Sequence, residues 1–307
     1  MSADEEAAHL ALLTGGRVHV GASGLGDGRG LFVAAHVAVG DTVFVEQPLV
    51  CAPAEFGMWE CVCHACLQRE SAAIQLTACR LCRWAHYCSA ACSAAGAAAH
   101  TEAECAAMVQ LRYRREDYPG TVLLAARLLR VLRCGAVDPA QAAQAALAHT
   151  LVGASPLVPL LTMQRFEGWA PTVLALAGCP TSEEDAVDAL CRLLRNECVQ
   201  AASLLTRAHT CPNRFKICDE RDVAAGAALY PAIARANHAC EPNVRARAEG
   251  WALRLEALAP LMPGDELRLS YIDGGQPAAA RAAHLRARFL FECGCGAPSC
   301  ASKPCVE

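Results

Sequence analysis

The sequence predicts an α+β protein in which strands towards both ends of the chain flank a helical middle. Short alternating stretches, many of them with β-branched residues, lie at residues 17–20, 30–33, 42–46 and 254–258 and are typical of strands. Residues 106–205 are instead rich in Ala, Leu, Arg and Glu, which favours helices. Closely spaced cysteines accompany both kinds of element, so we expect an α+β fold with added metal-binding segments.

The length and charge of the chain indicate how many domains it can form and which partners are disfavoured. A chain of 307 residues can form one large domain or two smaller ones. Its net charge of −4 argues against a nucleic-acid partner. The first residues are acidic and do not form a signal peptide, and no run approaches the about 18 apolar residues of a membrane span. We therefore expect a monomer of the cytoplasm, the nucleus or both, without a membrane partner.

The first strands follow an N-terminal tail at residues 1–16 and occupy the segment 17–58. Gly40 and Asp41, ahead of the third strand, predict a hairpin turn. Four alternate glycines between positions 24 and 30 form a loop before the second strand. The loop fits neither the dinucleotide-binding fingerprint nor the P-loop, because its glycine spacing differs and no Gly-Lys-Ser/Thr follows.

Twenty cysteines require an explanation in a chain without a signal peptide. Disulfide frameworks usually belong to secreted domains of less than about 80 residues. Here the close pairs lie mostly within residues 61–105 and 293–305. Cys-x-x-Cys pairs gathered in this way bring thiolates around a tetrahedral Zn²⁺. Zinc binding is therefore the interpretation that we favour.

Residues 61–105 contain four ligand pairs, enough for two zinc ions. In chain order the pairs are Cys63 and Cys66, Cys79 and Cys82, Cys88 and Cys92, and His100 and Cys105. This order resembles a MYND zinc finger, which implies that the first and third pairs bind one zinc ion and the second and fourth pairs bind another. His86 is an alternative to His100, and Cys61 is left without a role.

The finger also suggests a partner. Between residues 61 and 105, three arginines are balanced by three glutamates, so no basic stripe for DNA is present. The resemblance to MYND fingers implies a short proline-containing peptide ligand. A purely scaffolding finger is the alternative.

The helical middle spans residues 106–205. We predict helices over residues 121–133, 139–151 and 182–205, the last beginning at Ser182 with an acidic first turn. The prolines in this segment should break it into short helices; they are Pro156, Pro159, Pro171 and Pro180.

The most specific motif is Asn237-His238-Ala239-Cys240-Glu241-Pro242-Asn243, followed by Gly264-Asp265-Glu266 and by Tyr271. It resembles the C-terminal half of a SET domain, in which such a segment threads under a neighbouring loop as a pseudoknot. A SET start that is interrupted by a MYND finger resembles the SET- and MYND-domain protein lysine methyltransferases. The resemblance implies a split, β-rich SET fold with a helical insert, resumed at residues 206–275, and a Cys-rich post-SET tail at 276–307.

The resemblance also implies roles for individual residues. Tyr271 would be catalytic, and Tyr230 and Phe289 would line the substrate channel. The S-adenosylmethionine contacts would be Gly28, Arg29, Gly30, Leu31, Phe215, Asn237, His238, Tyr271 and Phe291. A third zinc ion would be bound by Cys240, Cys293, Cys295 and Cys300, with Cys305 as a competitor for the last place.

The expected activity is therefore S-adenosylmethionine-dependent methylation of a lysine in a histone or another protein, with three zinc ions as structural cofactors. A neutral lysine amine is needed, and deprotonating a free lysine at pH 7 costs roughly 4–5 kcal/mol. An aromatic channel lowers that cost. The alternative is a catalytically weak or inactive SET/MYND scaffold that binds proline-containing peptides. Because the chain stops at Glu307, we expect a short form without the helical C-terminal domain, and hence a more open cleft.

Overall fold

The computed structural model describes residues 1–25, 28–53, 59–114, 120–136, 138–151, 158–195, 214–218, 224–249, 251–272 and 274–300. The predicted α+β class is confirmed, with a helical middle between β-rich ends. The α-helices in these ranges are α1 (Ala3–Thr14), α2 (Ala90–Gly96), α3 (Glu102–Arg114), α4 (Gly120–Cys134), α5 (Pro139–His149), α6 (Leu160–Ala177), α7 (Glu183–Arg195) and α8 (Ala278–His284). The strands are β1 (Val18–Ala22), β2 (Arg29–Val33), β3 (Thr42–Glu46), β4 (Val50–Pro53), β5 (Thr77–Ala78), β6 (His86–Tyr87), β7 (Arg214–Cys218), β8 (Ala224–Leu229), β9 (Asn237–His238), β10 (Val244–Glu249), β11 (Ala252–Ala257) and β12 (Arg268–Leu269).

The strands form small sheets instead of one large one. In the described residues, β1 pairs with β2, β10 with β11 and β3, β4 with β8 and β7, and β5 with β6. All of these pairs are antiparallel, whereas β9 and β12 run parallel. A short 3₁₀ helix at Ile233–Arg235 leads into β9.

The predicted hairpin at Gly40 is wrong. Gly40 does form a turn, with a φ of +85° that favours glycine. The strand after the turn, β3, pairs with β11 and not with β2. The reason is that the free edge of β2 is already used: Leu267 N–H donates to Leu31 O at 2.7 Å, and Val33 N–H donates to Asp265 O at 3.0 Å.

Helices α3, α4, α6 and α7 build one hydrophobic core together with finger residues such as Cys63 and Cys82. Helices α4 and α5 begin and end close to the predicted bounds. The prediction that Pro171 breaks the chain is wrong, because it lies inside the 18-residue helix α6. Phe166, Ala170 and Val173 bury one face of α6, and this packing outweighs the one backbone hydrogen bond that proline removes. The predicted helix 182–205 is observed as far as Arg195, and its remainder lies outside the described residues.

The segment predicted as an N-terminal tail forms a capped helix. Ser2 and Glu5 make a capping box at the start of α1, and Gly15 ends the helix in the left-handed conformation. Leu10 is completely buried in the second core, which lies beneath β1, β2, β3, β10 and β11. Helix α1 therefore packs on the β-rich part of the fold. Within the described ranges, none of the helices is long and apolar enough to cross a membrane.

Candidate active site and zinc centres

Cysteine and histidine side chains form three groups of four in the described part of the chain. In each group, one ligand atom per residue lies within 4.8 Å of all the others. The groups are Cys63, Cys66, Cys88 and Cys92; Cys79, Cys82, His100 and Cys105; and Cys240, Cys293, Cys295 and Cys300. These are the same sets that the interleaved pattern and the post-SET pattern predicted.

The spacing of the sulfur atoms fits tetrahedral zinc. Thiolates bound about 2.3 Å from one Zn²⁺ lie about 3.8 Å apart. The Sγ atoms of Cys66 and Cys88 are 3.6 Å apart, and those of Cys79 and Cys105 are 3.7 Å apart. In the third group, Cys240 Sγ is 3.8 Å from Cys293 Sγ. The donor sets and these distances are compatible with the three predicted zinc sites.

A buried carboxylate orients His100 towards the other members of its group. Its Nε2 lies 3.5 Å from Cys82 Sγ, and its Nδ1 lies 3.2 Å from Glu104 Oε1. A hydrogen bond of this kind places the ring proton on Nδ1 and leaves Nε2 for the metal. The alternative ligand His86 turns its Nδ1 towards Trp84 O at 2.9 Å. His100 is therefore the histidine in this group, although four residues separate it from Cys105.

Glu104 connects the finger to the rest of the fold. It accepts two hydrogen bonds from Arg127 on α4, at 3.0 and 2.7 Å, and one from Arg130 at 3.0 Å. Arg127 also donates to Cys51 O on β4 at 2.6 Å. Burial raises the pKa of the Glu104 carboxyl, but the neighbouring Arg127 and the other donors hold that pKa well below its usual range. The finger, the helical middle and the first β segment thus share one buried ionic centre.

Two chain segments cross at the candidate active site. Strands β9 and β12 lie side by side, with Asn237 opposite Arg268 and His238 opposite Leu269. The side chain of Asn243 fastens the crossing, because its Nδ2 donates to Glu266 O and its Oδ1 accepts from Arg268 N–H, both at 2.8 Å. The crossing brings residues 237–240 next to Tyr271.

A polar cluster lies on one side of this crossing. Asn237 Nδ2 is 2.9 Å from Glu266 Oε1 and 3.0 Å from Arg29 O, and Ser23 Oγ donates to Glu266 at 2.7 Å. A Cβ atom at Gly30 would lie 2.2 Å from Glu266 Oε1, so only glycine leaves room for this carboxylate. Sequence reasoning missed Glu266 as a site residue, although the Gly264-Asp265-Glu266 motif contains it.

Aromatic rings lie on the other side. The ring of Tyr271 is 5.2 Å from those of His238 and Phe289 and 6.2 Å from that of Phe291, measured between centroids. The Tyr271 hydroxyl donates to Ala236 O at 2.7 Å, and burial raises the pKa of this hydroxyl above its ordinary value. Tyr271 is therefore protonated at neutral pH.

The orientation of His238 follows from its hydrogen bonds. Tyr271 N–H donates to His238 Nδ1 at 3.0 Å, so the ring proton lies on Nε2, which is 3.6 Å from Cys240 Sγ. Burial lowers the pKa of His238 to about 4. The neutral imidazole thus links the backbone of Tyr271 to a ligand of the third zinc site.

The other predicted site residues fall in different places. Arg29 and Asn237 line a cavity of about 230 Å³ together with Glu6, Arg235 and Thr150. Gly28 lies just before β2, and Leu31 is completely buried, with its backbone bonded to Leu267. Phe215 lies on β7, and its side chain is outside what the structure describes, as is Cys305.

The predicted channel role of Tyr230 conflicts with its position. The ring is completely buried in the second core, among residues such as Ile233 and Val244. Its hydroxyl donates to Trp251 O at 2.5 Å. A side chain in this position supports the fold and does not line an open channel. Phe289, for which a channel role was also predicted, lies beside Tyr271.

Comparisons with known proteins agree with this geometry. The chain is 28% identical over 277 residues to human histone-lysine N-methyltransferase SMYD3, which covers 87% of the chain and 58% of that protein. It is 28% identical over 277 residues to mouse N-lysine methyltransferase SMYD2, covering 88% of the chain and 58% of that relative. It is 25% identical over 281 residues to histone-lysine N-methyltransferase ASHR1 of Arabidopsis thaliana, covering 90% of the chain and 54% of that relative. The chain thus spans a little over half the length of these curated relatives.

No protein-family model matches the chain. A solved structure, the SET domain of LSMT bound to lysine and AdoHcy, aligns with 90% of the chain and 52% of its own, at 12% identity and a TM-score of 0.44. That likeness is too weak to support an argument. Sequence similarity to these curated lysine methyltransferases, together with the three Cys/His groups, agrees with the predicted class of protein, a zinc-stabilised protein with a SET fold. The particular family that it resembles is the SET- and MYND-domain lysine methyltransferases.

Proposed function

We propose that the protein is an S-adenosylmethionine-dependent protein lysine N-methyltransferase with Tyr271 as its catalytic residue. The observation that carries the proposal is the crossing of residues 237–243 with residues 266–271, which gathers a polar cluster and an aromatic cluster at one place. Similarity to lysine methyltransferases over 87% of the chain supports the same activity.

The polar side of the crossing suits the cofactor. The methionine end of S-adenosylmethionine carries a carboxylate and an ammonium group, and Arg29 lines a cavity beside Asn237 with guanidinium donors for the carboxylate. When bound, the cofactor supplies a methyl group on a cationic sulfur. Glu266, Ser23 and the carbonyl of Arg29 accept from the Asn237 amide nitrogen, so the orientation of this amide is fixed before any ligand arrives.

The aromatic side suits a lysine side chain. The rings of Tyr271, Phe289 and Phe291 exclude water and disfavour the charged ammonium form of an entering lysine. The Tyr271 hydroxyl already donates to Ala236 O. A phenol oxygen that donates one hydrogen bond can still accept another, so this oxygen can orient the neutral amine towards the methyl donor.

The alternative of an inactive interaction scaffold is less well supported. A scaffold would not need an aromatic group around Tyr271 or a fixed Asn237 amide, and both are present. Peptide binding by the finger is compatible with either function. We infer that a proline-containing peptide would use a cavity of about 510 Å³ between the β5–β6 hairpin and α2, lined by residues such as Thr77, Tyr87 and Ser93.

Radiolabelled methyl transfer tests the enzymatic proposal. The zinc-loaded protein is incubated with labelled S-adenosylmethionine and a protein extract, beside Tyr271→Phe. We expect label in discrete proteins and a loss of at least about a hundredfold in the variant, because the amine is no longer oriented. Calorimetry should show that S-adenosylhomocysteine binds the wild type and the variant with affinities within about threefold. Undiminished labelling by Tyr271→Phe, or a wild type that binds no S-adenosylhomocysteine, would overturn the proposal.

A further inference from the structure

Helix α1 places one buried carboxylate beside the cavity that contains Arg29 and Asn237. Glu6 is 4% exposed, although the other acidic residues in its first turn, Asp4 and Glu5, face solvent. A buried carboxylate is costly unless it is paired. The partners of Glu6 are two arginines that also line the cavity, Arg29 and Arg235.

Arg235 fixes the position of Glu6. Its Nε donates to Glu6 Oε1 at 3.0 Å, and its side chain is 9% exposed. Its other donors bond to Pro231 O at 2.5 Å, to Leu147 O at 3.1 Å and to Thr150 Oγ1 at 2.5 Å. Every nitrogen of this guanidinium is thus engaged, so Arg235 holds Glu6 against the end of α5 and the turn before β9.

Arg29 is held more loosely and from one side. Within the described residues, its guanidinium has one polar partner, the second oxygen of Glu6, and its side chain is 59% exposed. A guanidinium has five N–H donors, so Arg29 has others available at the cavity. The backbone of Arg29 is fixed independently, because its carbonyl accepts from Asn237 Nδ2 at 3.0 Å.

Two arginines and one glutamate leave the cavity with one unbalanced positive charge. We propose that Glu6 is a positioning residue of the cofactor site, which orients Arg29 to receive the carboxylate of S-adenosylmethionine. The inference rests on the proposed function and adds to it an element outside the SET motifs, the helix α1. Arg235 anchors Glu6, Glu6 directs Arg29, and Arg29 contacts the ligand.

Glu6→Gln tests this series of contacts in the zinc-loaded protein of 307 residues. The amide keeps the shape of the side chain and can still accept from Arg235, but it loses the charge that attracts Arg29. We expect S-adenosylhomocysteine to bind about tenfold more weakly by calorimetry. Binding of 5′-methylthioadenosine, which lacks the amino-acid end, should change less than about twofold. Asp4→Asn removes the same charge from the same turn of α1 and should change neither affinity.

A second variant covers the case in which Glu6→Gln does not fold. Arg29→Gln alters a largely exposed side chain and should weaken S-adenosylhomocysteine binding to a similar extent. In the double variant the two losses should not add, because both act through one contact. Equal weakening of both ligands by Glu6→Gln, or full additivity, would overturn the positioning role. A wild type that binds neither ligand would overturn the methyltransferase proposal together with it.

Discussion

At the scale of single residues, the candidate site depends on a glycine at position 30, because a side chain there would clash with its neighbours. The space that a Cβ atom would take is filled by Glu266 Oε1 at 2.2 Å and is closely approached by Asn237 Nδ2 at 3.0 Å. Glu266 is 5% exposed and bonded to Ser23 and Asn237, so it has little freedom to move aside. Gly30 therefore permits the contact that sets the direction of the Asn237 amide.

Gly30→Ala should weaken cofactor binding with a limited effect on the fold. We expect the affinity for S-adenosylhomocysteine to fall at least about tenfold, since the methyl group displaces the buried Glu266 carboxylate and with it Asn237. Gly24→Ala, in the loop before β2, is the control, because its Cβ would meet nothing within 4 Å. Calorimetric titration of both variants decides the matter, and equal affinities would show that this contact is unimportant.

Residue roles were predictable from the sequence where the partners are close along the chain. The zinc ligands of the finger follow from pairs with two to four intervening residues, since one tight turn brings both side chains to the metal. Glu266 was missed because its partner Ser23 is 243 residues away. Glu6 was missed for the same reason, although Ser2 and Glu5 could have revealed its helix as a capping box.

At the scale of elements, Glu46 connects β3 to the turn that leads to the candidate active site. Its oxygens accept from the backbone N–H groups of Ala232 and Ile233 at 3.0 and 2.8 Å. Gln144 on α5 donates to it at 3.3 Å. Burial raises the pKa of Glu46 to about 7, while these hydrogen bonds and the nearby Arg235 lower it in part. One ionisable group thus lies where three elements meet.

The raised pKa predicts how stability depends on pH. Between the unfolded value of 4.5 and the folded value of about 7, the folded state binds more protons than the unfolded state. The free energy of unfolding must therefore decrease as pH rises through this window, by up to about 3 kcal/mol from this group. Glu46→Gln removes the effect, so the variant should gain stability relative to the wild type between pH 5 and 8.

Denaturant unfolding of the wild type and Glu46→Gln at several pH values provides the measurement. Thiolate ligands titrate equally in both proteins, so their contribution cancels in the difference. Glu249→Gln, which changes an exposed carboxylate on β10, serves as the control. Parallel stability curves for the wild type and Glu46→Gln would contradict the prediction.

Element positions were more predictable than element partners. The strands at 17–20, 30–33 and 42–46 occur where alternation placed them, because alternation is a local property. The strand β3 pairs with β11 because the free edge of β2 already bonds to Asp265 and Leu267. These two residues lie more than 200 positions further along the chain, so local alternation does not reveal them. Helix α6 likewise continues through Pro171 because it packs against other helices of the first core. Those contacts cannot be read from the sequence of α6 alone.

At the scale of the whole molecule, Glu104 connects three parts of the fold that are separate in the sequence: the finger, the helical middle and the first β segment. It lies between the zinc ligand His100 on the finger, Arg127 and Arg130 on α4, and, through Arg127, the carbonyl of Cys51 on β4. The finger is therefore not an independent module of the fold. Its second zinc site and the helical core share a carboxylate that is completely buried.

Glu104→Gln should weaken both the zinc site and the global fold. Removing one partner of a buried ion pair leaves Arg127 uncompensated, and such changes cost about 3–5 kcal/mol. The wild type should contain three zinc ions per chain, and the variant should release one of them faster to a colorimetric chelator because His100 loses its orienting partner. Glu102→Gln removes an exposed carboxylate from the same first turn of α3 and should leave both properties unchanged.

If Glu104→Gln matched Glu102→Gln in zinc release and in unfolding, the finger would be energetically independent of the helical core. Faster zinc release with unchanged unfolding would limit the role of Glu104 to its histidine.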